Sequence, residues 1–447
     1  MASATRTTPA VPVAPGALPL LGHTIPMLRA PVALLQSLRS QGDVVVVRLG
    51  LRPVYVLNAP EVIHRVLVTE AHDYAKGRVF DKTRPFVGNG IATSEGDVHL
   101  RQRRLMLPAF HRERLRTYTK VMHDQTLAVT AGWRPGQHIA ADRAIYALTS
   151  IVTTKTLFHC DPGDRALAAV QRWLPVFLKG VIRRAIAPID ALEKLPTPGN
   201  LLFERARTAL KQIIDDIVSD YRSDPRDRGD LLSTLAGARS EDTGEPMSDE
   251  QLHDELMTIL IAGTETTGTA LAWLFHAIGR HPEVEERLHR EIDTVLDGRQ
   301  ITFDDVPSLV YTRRVVDEAL RLHTPTWVTM RRTTAAVELA GIPIPPNSEL
   351  LFSPATLHRD PILFPDPNRF DPDRWESTPP RGAYLPFGAG RHKCIGDYFG
   401  LTEMIVAVAT IASRWRLVPA PGHRVRELPL STLRPDQLPM ALEYRRR

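Results

Sequence analysis

The sequence predicts a mostly α-helical protein with small β-sheets, formed as a single large domain. Helical periodicity dominates from about Glu61 to Arg332. Short β-branched runs precede this stretch, and short strands with proline-rich coil follow it. The 447 residues, 43% hydrophobic and 24% charged, contain no linker, repeat or low-complexity block at which the chain would divide.

The first element is a predicted flexible tail, residues 1–14, ahead of a domain that spans residues 15–447. The first 42 residues contain no Asp or Glu and are rich in Ala, Thr and Pro, so a transit peptide is the alternative. Pro9, Pro12 and Pro15 would break the amphipathic helix that such a signal needs, which favours the tail. The apolar, turn-rich segment Pro15–Gly22 is expected to lie against the body of the protein.

Two short runs then predict a β-hairpin, Val44–Gly50 and Pro53–Leu57. Long helices are predicted over Leu202–Tyr221 and Asp249–Arg280, with polar loops between the helical segments. Beyond the helical stretch, short strands and coil lead to one last helix over Ile395–Trp415.

Bulk properties exclude several classes of protein. The longest apolar runs, such as Met404–Ala412, are too short to cross a bilayer, and we expect a soluble, cytoplasmic protein. A net charge of +5 is too small over this length to indicate a nucleic-acid-binding protein. Two cysteines, Cys160 and Cys394, cannot form the disulfide framework of a secreted protein.

Cys394 follows a glycine-rich loop and directly precedes the last apolar helix. Gly388 and Gly390 permit backbone angles that are closed to other residues and allow close approach to a flat cofactor. The start of a helix stabilises a thiolate over a thiol. A lone cysteine is more often a buried core residue, and Cys160, which lacks such a setting, is interpreted as structural.

The cysteine segment resembles the haem-binding signature of the cytochrome P450 family, Phe-x-x-Gly-x-(Arg/His)-x-Cys-x-Gly. The matching residues are Phe387, Gly390, His392, Cys394 and Gly396. The resemblance implies haem b with Cys394 as the axial thiolate ligand of the iron, as in other Cys-ligated members. It also implies a trigonal-prism helical fold of the bacterial soluble type, with haem between an oxygen-activating helix and the cysteine-bearing helix.

Other landmarks of the family occur in the expected order. Glu318 and Arg321 match its Glu-x-x-Arg motif, and Arg374 matches the arginine of a later segment that completes a cluster. Residues i and i+3 share a helix face, and a third charged group would lock a coil segment onto that helix. Alone, a charge pair at this spacing is usually a solvated pair on a helix surface. The assignment to the family's motif therefore depends on its order among the other motifs.

The two propionates of a buried haem need cationic or hydrogen-bonding partners. By resemblance these are His99, Arg103, Arg331 and His392, with His99 in place of the more common Trp. Arg332, next to Arg331, leaves an alternative for that position.

The helix over Asp249–Arg280 contains Ala262–Thr267, which resembles the family's (Ala/Gly)-Gly-x-(Asp/Glu)-Thr-Thr motif. A glycine and an acid–alcohol pair cost helix propensity, and close packing of another helix is the structural alternative. Splitting dioxygen requires two protons. A helix opened locally at Gly263 would leave room for oxygen and water. The Thr266 hydroxyl would then form a hydrogen bond to the bound oxygen, and Glu265 would relay protons from solvent. Glu265 and Thr266 are therefore the predicted catalytic residues.

By resemblance, the substrate pocket draws on this helix and on Tyr74–Ile91, Trp173–Ile186, Pro325–Met330 and Leu428–Leu433. An apolar pocket of this kind favours a hydrocarbon-like ligand held by shape. About half of the candidate side chains are expected to be ordinary core. The candidates are Phe80, Phe86, Val87, Ile91, Trp173, Phe177, Val181, Ala262, Trp327, Val328 and Leu430.

The segments Pro15–Gly22 and Arg101–Phe110, with Trp327 and Thr432–Pro435, resemble actinobacterial terpene oxidases of the pentalenene and albaflavenone pathways. This resemblance implies oxidation of a terpene, sesquiterpene-like, in secondary metabolism. The alternatives are another hydrophobic metabolite (polyketide, fatty acid or steroid), a haem-thiolate peroxygenase, isomerase or dehydratase, or a non-catalytic haem or ligand sensor. The acid–alcohol pair favours the monooxygenase.

Electrons are expected from a separate ferredoxin and an NAD(P)H-dependent ferredoxin reductase. The chain lacks a strand-linked Gly-x-Gly-x-x-Gly fingerprint and has too few cysteines for an iron–sulfur cluster. One set of cations has two interpretations of equal weight. It is either a surface that steers an acidic ferredoxin or simply a solvated basic face. The cations are Arg101, Arg103, Arg104, Arg112, Arg391 and Lys393.

Overall fold

The computed structural model describes residues 11–158, 164–186, 195–239 and 244–445. Its mostly helical architecture with several small sheets confirms the predicted fold class. Residues 1–10 and Cys160 lie outside the described residues, so the tail and the structural role of Cys160 stay predictions.

Helices form most of the described chain. They are α1 (Thr24–Arg29), α2 (Pro31–Leu38), α3 (Pro60–His64), α4 (Arg78–Val87), α5 (Gly96–Met106), α6 (Arg112–Thr130), α7 (Ala141–Phe158), α8 (Asp164–Ile186), α9 (Pro198–Ser223), α10 (Leu231–Gly237), α11 (Asp249–Arg280), α12 (Pro282–Leu296), α13 (Val310–Leu322), α14 (Pro354–Leu357) and α15 (Asp397–Ala412). No helix among the described residues is long and apolar enough to cross a membrane.

The strands are short. They are β1 (Val44–Leu49), β2 (Arg52–Leu57), β3 (Tyr74–Ala75), β4 (His138–Ala140), β5 (Thr329–Thr333), β6 (Val337–Leu339), β7 (Ile342–Ile344), β8 (Glu349–Phe352), β9 (Trp415–Pro419), β10 (Glu427–Pro429), β11 (Leu433–Pro435) and β12 (Pro439–Tyr444). They form a five-stranded sheet in the order β1-β2-β8-β5-β3, a three-stranded sheet β4-β12-β9, and the pairs β6-β7 and β10-β11.

The predicted N-terminal hairpin is present. β1 and β2 pair antiparallel, with Val44 opposite Leu57, and β2 pairs parallel with β8. Residues 12–14 run beside β1, because the Val46 N–H donates to the Pro12 carbonyl (2.8 Å) and the Ala14 N–H donates to the Val46 carbonyl (2.9 Å). This part of the predicted tail therefore belongs to the edge of the sheet.

The boundaries differ from the predictions in two places. The short strands β3 and β4, and the start of β5, fall within the stretch predicted as helical, because strands of two to five residues leave too little periodicity to detect. The last helix is shorter than Ile395–Trp415 at both ends. Gly396 caps its start, and the buried Trp415 opens β9.

The chain folds into two compact units. The sheet unit comprises Met1–Asp81, Thr326–Arg369 and Ser377–Cys394, and contains the five-stranded sheet. The helical unit comprises Lys82–Pro325, Phe370–Glu376 and Ile395–Arg447. Each has its own hydrophobic core.

Candidate active site

The cysteine loop of the sheet unit is held in a backbone conformation that favours glycine. Gly388 and Gly390 both have φ of +67°. A Cβ on Gly390 would lie 1.8 Å from the Leu67 carbonyl oxygen, so the loop contacts the backbone of that segment directly. The loop closes through the Cys394 N–H, which donates to the Phe387 carbonyl at 2.9 Å. Cys394 itself is exposed, and α15 begins three residues after it.

Two neighbouring arginines on β5 have different surroundings. Arg332 forms an ion pair with Asp81 at 2.7 Å and lies 3.7 Å from Glu349. Burial raises the pKa of the Glu349 carboxyl. Arg331 is only 7% exposed, and its Nη1 donates to the Met330 carbonyl. Arg332 is thus engaged by carboxylates of the sheet unit, and Arg331 is the more deeply buried of the two arginines.

The predicted propionate residues of the helical unit lie on α5. His99 and Arg103 are one turn apart and share a helix face. His99 is buried, and its Nδ1 lies 3.2 Å from the Ile91 carbonyl oxygen. The Ile91 N–H donates to the Glu255 carboxylate at 2.8 Å, which fixes the preceding turn to α11. His392 lies in the cysteine loop of the sheet unit, on a short 3₁₀ turn over Gly390–His392.

The helix that carries the predicted catalytic residues, α11, is continuous from Asp249 to Arg280, and this differs from the local opening expected at Gly263. The Thr266 hydroxyl donates to the Ala262 carbonyl at 2.5 Å, one turn back, which satisfies that carbonyl within an unbroken helix. A Cβ on Gly263 would lie 3.0 Å from the side chain of Thr153 on α7. Gly263 thus permits close packing of two helices, the structural alternative considered above.

Glu265 is nearly buried, at 7% exposure, and its carboxylate has partners that sequence reasoning missed. Oε1 accepts hydrogen bonds from the Ser431 hydroxyl at 3.0 Å and the Thr432 hydroxyl at 3.1 Å. The Thr432 hydroxyl also lies 3.0 Å from that of Thr269 on α11. Ala262, by contrast, is exposed in the middle of this largely buried helix.

The structure brings Glu318, Arg321 and Arg374 together. Glu318 and Arg321 are both fully buried, and the guanidinium donates through Nε and Nη2 to the two carboxylate oxygens, each at 2.8 Å. Three further groups donate to the Glu318 carboxylate. They are Arg374 Nε at 3.1 Å, the Asp371 backbone N–H at 3.0 Å and the Trp375 indole N–H at 3.0 Å. The carboxylate therefore holds the coil segment after residue 370 against α13.

Several predicted pocket residues belong to hydrophobic cores. Phe177 is fully buried and stacks on Phe203, with ring centroids 5.4 Å apart, and Phe86 meets the same ring edge-on at 5.3 Å. The remaining predicted residues that pack in or against a core are Val87, Ile91, Trp173 and Val181 in the helical unit and Trp327 and Val328 in the sheet unit. Ala262 and Leu430 are exposed.

One buried cation among these side chains was not singled out from the sequence. The guanidinium of Arg184 lies 3.6 Å from the centre of the Phe203 ring and donates to Asn200 Oδ1 at 3.0 Å. A basic residue in the last turn of a helix usually reaches solvent, so no local sequence pattern predicts that Arg184 is buried.

Each unit offers groups that suit a thiolate-bound haem. The sheet unit presents an exposed thiol beside Gly388, where a Cβ would meet open space, and the buried cation Arg331. The helical unit presents His99 and Arg103 on one helix face, and the exposed Ala262 on α11. A flat iron porphyrin with two carboxylates requires a soft anionic ligand, cations and an apolar surface. The residues present fit the group.

Comparison with known proteins agrees with this reading of the residues. The model of the family "Cytochrome P450" matches residues 12–438. The chain is 47% identical over 440 residues to cyclooctatin synthase of Streptomyces melanosporofaciens, and 45% identical over 436 residues to cyclooctat-9-en-7-ol 5-monooxygenase of the same organism. Each alignment covers 97% of this chain and 95% of the relative. It is 39% identical over 438 residues to pentalenene oxygenase of Streptomyces avermitilis, with 97% of both chains covered. The chain belongs to the cytochrome P450 family.

Proposed function

We propose that this protein is a haem-thiolate monooxygenase that oxidises a terpene. The observation that carries the proposal is the acid–alcohol pair on α11, where Glu265 and Thr266 lie within one turn of the exposed Ala262. A proton donor at this place suits a reaction in which dioxygen must be protonated and split. The whole of residues 15–447 would act as one such domain.

The cofactor would be haem b, with the Cys394 thiolate as its axial ligand. Once bound, it supplies the iron at which dioxygen is reduced by two electrons. His99, Arg103, Arg331 and His392 would hold its propionates by charge-assisted hydrogen bonds. Glu318, Arg321 and Arg374 would act at a distance, by fixing the coil before the cysteine loop.

Thr266 and Glu265 have separate tasks in this proposal. The Thr266 hydroxyl, which donates to the Ala262 carbonyl, would turn toward oxygen and hand on a proton. The Glu265 carboxylate would resupply that proton from solvent. Replacing Thr266 by Ala should divert reductant into hydrogen peroxide, and full product yield per NAD(P)H consumed would refute its role.

The substrate class follows from the relatives. One is named for pentalenene, one for cyclooctatin and one for cyclooctat-9-en-7-ol. The test is substrate binding and turnover with terpene hydrocarbons and terpene alcohols against fatty acids and steroids of similar size. Turnover of only the latter would refute the terpene assignment, and turnover with peroxide alone would indicate a peroxygenase.

Electrons would come from a separate ferredoxin and its NAD(P)H-dependent reductase, in the cytoplasm, since two cysteines suit a reducing compartment. Arg101, Arg104 and Arg112 are exposed in the helical unit, and Lys393 is exposed in the sheet unit. Reversing the charge at Arg104 and at Lys393 should slow association with an acidic ferredoxin and weaken its dependence on salt. Unchanged association rates would refute docking through these cations.

Haem ligation is tested directly by spectroscopy. The reduced protein with bound carbon monoxide should show the red-shifted Soret band of thiolate ligation, and Cys394→Ala should abolish it. An unshifted band in the unmodified protein would exclude Cys394 as the ligand.

A further inference from the structure

The carboxylate of Glu265 is held by a hairpin that follows it by more than 160 residues in the sequence. The hairpin consists of β10 and β11, with Ser431 and Thr432 in its turn. Both hydroxyls donate to the same carboxylate oxygen, at 3.0 and 3.1 Å. Two donors on one oxygen restrict the side-chain rotamers of Glu265 more than a single donor would.

The base of this hairpin is anchored independently of Glu265. The indole N–H of Trp273 donates to the Leu433 carbonyl at 2.7 Å, and the Leu433 N–H donates to the Pro325 carbonyl at 3.0 Å. Trp273 stacks on His323, with centroids 4.0 Å apart, and His323 Nδ1 lies 3.0 Å from the Glu427 carboxylate. The turn of the hairpin is thus presented to Glu265 by a rigid base.

The tip of the turn is apolar and open. Leu430 is 42% exposed, and its N–H donates to the carbonyls of Leu428 (3.1 Å) and Thr432 (3.0 Å), so the turn is tight. Leu430, Ser431 and Thr432 are consecutive. The two hydroxyls that hold Glu265 therefore follow directly on an exposed apolar side chain.

We propose that Ser431 and Thr432 are positioning residues that fix the Glu265 carboxylate for proton delivery. The inference rests on the proposed role of Glu265. Monooxygenation consumes one O₂, one NAD(P)H and one proton, and places one oxygen atom in the substrate and one in water. When protons are misdelivered, the same two electrons leave with both oxygen atoms as hydrogen peroxide.

The variants that test this inference remove hydroxyls and little else. Thr432→Val keeps the shape of the side chain, Ser431→Ala removes the second donor, and Thr432→Ser restores a hydroxyl. Product per NAD(P)H should fall about fivefold in Thr432→Val, the change in population that one lost hydrogen bond corresponds to, and further in the double variant, with peroxide rising to match. Thr432→Ser should retain most of the yield. Unchanged yield in the double variant would overturn the inference.

Thr126→Val serves as the matched control, because it removes one buried hydroxyl, which donates to the Met122 carbonyl within α6, without touching the hairpin or Glu265. It should leave the product yield near that of the unmodified enzyme. If Thr126→Val diverts as much reductant to peroxide as Thr432→Val, the loss of any buried hydroxyl has this effect, and the inference fails.

A double-mutant comparison separates this inference from the proposed function. Glu265→Gln should itself lower the yield, and adding Thr432→Val to it should change little. A full further loss in the combined variant would overturn the positioning role while leaving that of Glu265 intact. A normal yield in Glu265→Gln alone would refute the proposed function of the acid, and with it the inference.

A structural measurement needs neither reductant nor turnover. Glu265→Ala removes the acceptor of both hydroxyls, so the backbone amides of residues 430–434 should exchange hydrogen at least about fivefold faster than in the unmodified protein. Equal exchange in the two proteins would show that the carboxylate does not hold the turn, and would overturn the inference.

Discussion

Replacing Glu318 by Gln should destabilise the protein far more than an ordinary ion-pair mutation. The side chains of Glu318 and Arg321 are both fully buried, with no surface accessible to water. The substitution leaves a buried guanidinium without its counter-ion, and also weakens the bonds from Arg374 and Trp375. Breaking such a buried pair costs about 3–5 kcal/mol in free energy of unfolding.

The chain supplies a matched control on α9. Glu204 and Arg207 have the same spacing and the same 2.8 Å separation, but their side chains are 46% and 45% exposed. Glu204→Gln should therefore cost no more than about 1 kcal/mol. Arg374→Gln should fall between the two variants, at about 1–3 kcal/mol, because Glu318 keeps Arg321 as its partner.

The measurement is the midpoint of urea unfolding, followed by tryptophan fluorescence at one pH and one salt concentration. The expected order of midpoints, from the lowest, is Glu318→Gln, Arg374→Gln and Glu204→Gln. Equal midpoints for Glu318→Gln and Glu204→Gln would refute the argument from burial. Raising the salt concentration should reduce the effect of the Glu204 change and leave that of the Glu318 change almost intact.

Further predictions concern single side chains. Gly390→Ala should abolish incorporation of haem, measured as Soret absorbance per protein, because its Cβ would collide with a backbone carbonyl; normal incorporation would contradict this. Gly263→Ala should lower the unfolding midpoint slightly, as crowding against Thr153 exceeds the gain of about 1 kcal/mol in helix propensity, and adding Thr153→Ala should reverse the sign. Burial lowers the pKa of His289 to about 4. In the unfolded chain His289 is protonated near pH 6.5, whereas in the folded protein it is protonated only near pH 4. The free energy of unfolding should therefore fall as the pH drops through this window. His289→Asn should flatten that dependence, and an unchanged slope would show that His289 does not cause it.

Motifs with fixed local spacing were predicted well from the sequence. Glu318 and Arg321 are three residues apart on one helix, so their pairing follows from helix geometry, and their meeting with Arg374 was expected from the order of the family's motifs. The hairpin β1–β2 and the full extent of α11 were likewise readable from local periodicity.

Long-range contacts were not readable in the same way. No local pattern links Glu265 to Ser431, because only the folded backbone brings the hairpin to α11. Gly263 was expected to open its helix, yet it accommodates Thr153 on α7, and the sequence shows the cost of a glycine without showing its neighbour. Phe177 fitted an apolar pocket as well as an apolar core, and hydrophobicity alone does not distinguish the two.

The parallel pairing of β2 with β8 also sets an order of events during synthesis. Val54 lies opposite Glu349, and most of the helical unit is made between the two strands. Closing so long a loop is slow unless the intervening chain has already become compact. The part of the helical unit that precedes β8, Lys82–Pro325, is therefore expected to become compact first, while β2 waits for β8. The Gly390 contact with Leu67 forms later still, so the cysteine loop is completed only after Lys82–Pro325 and β8 have been made.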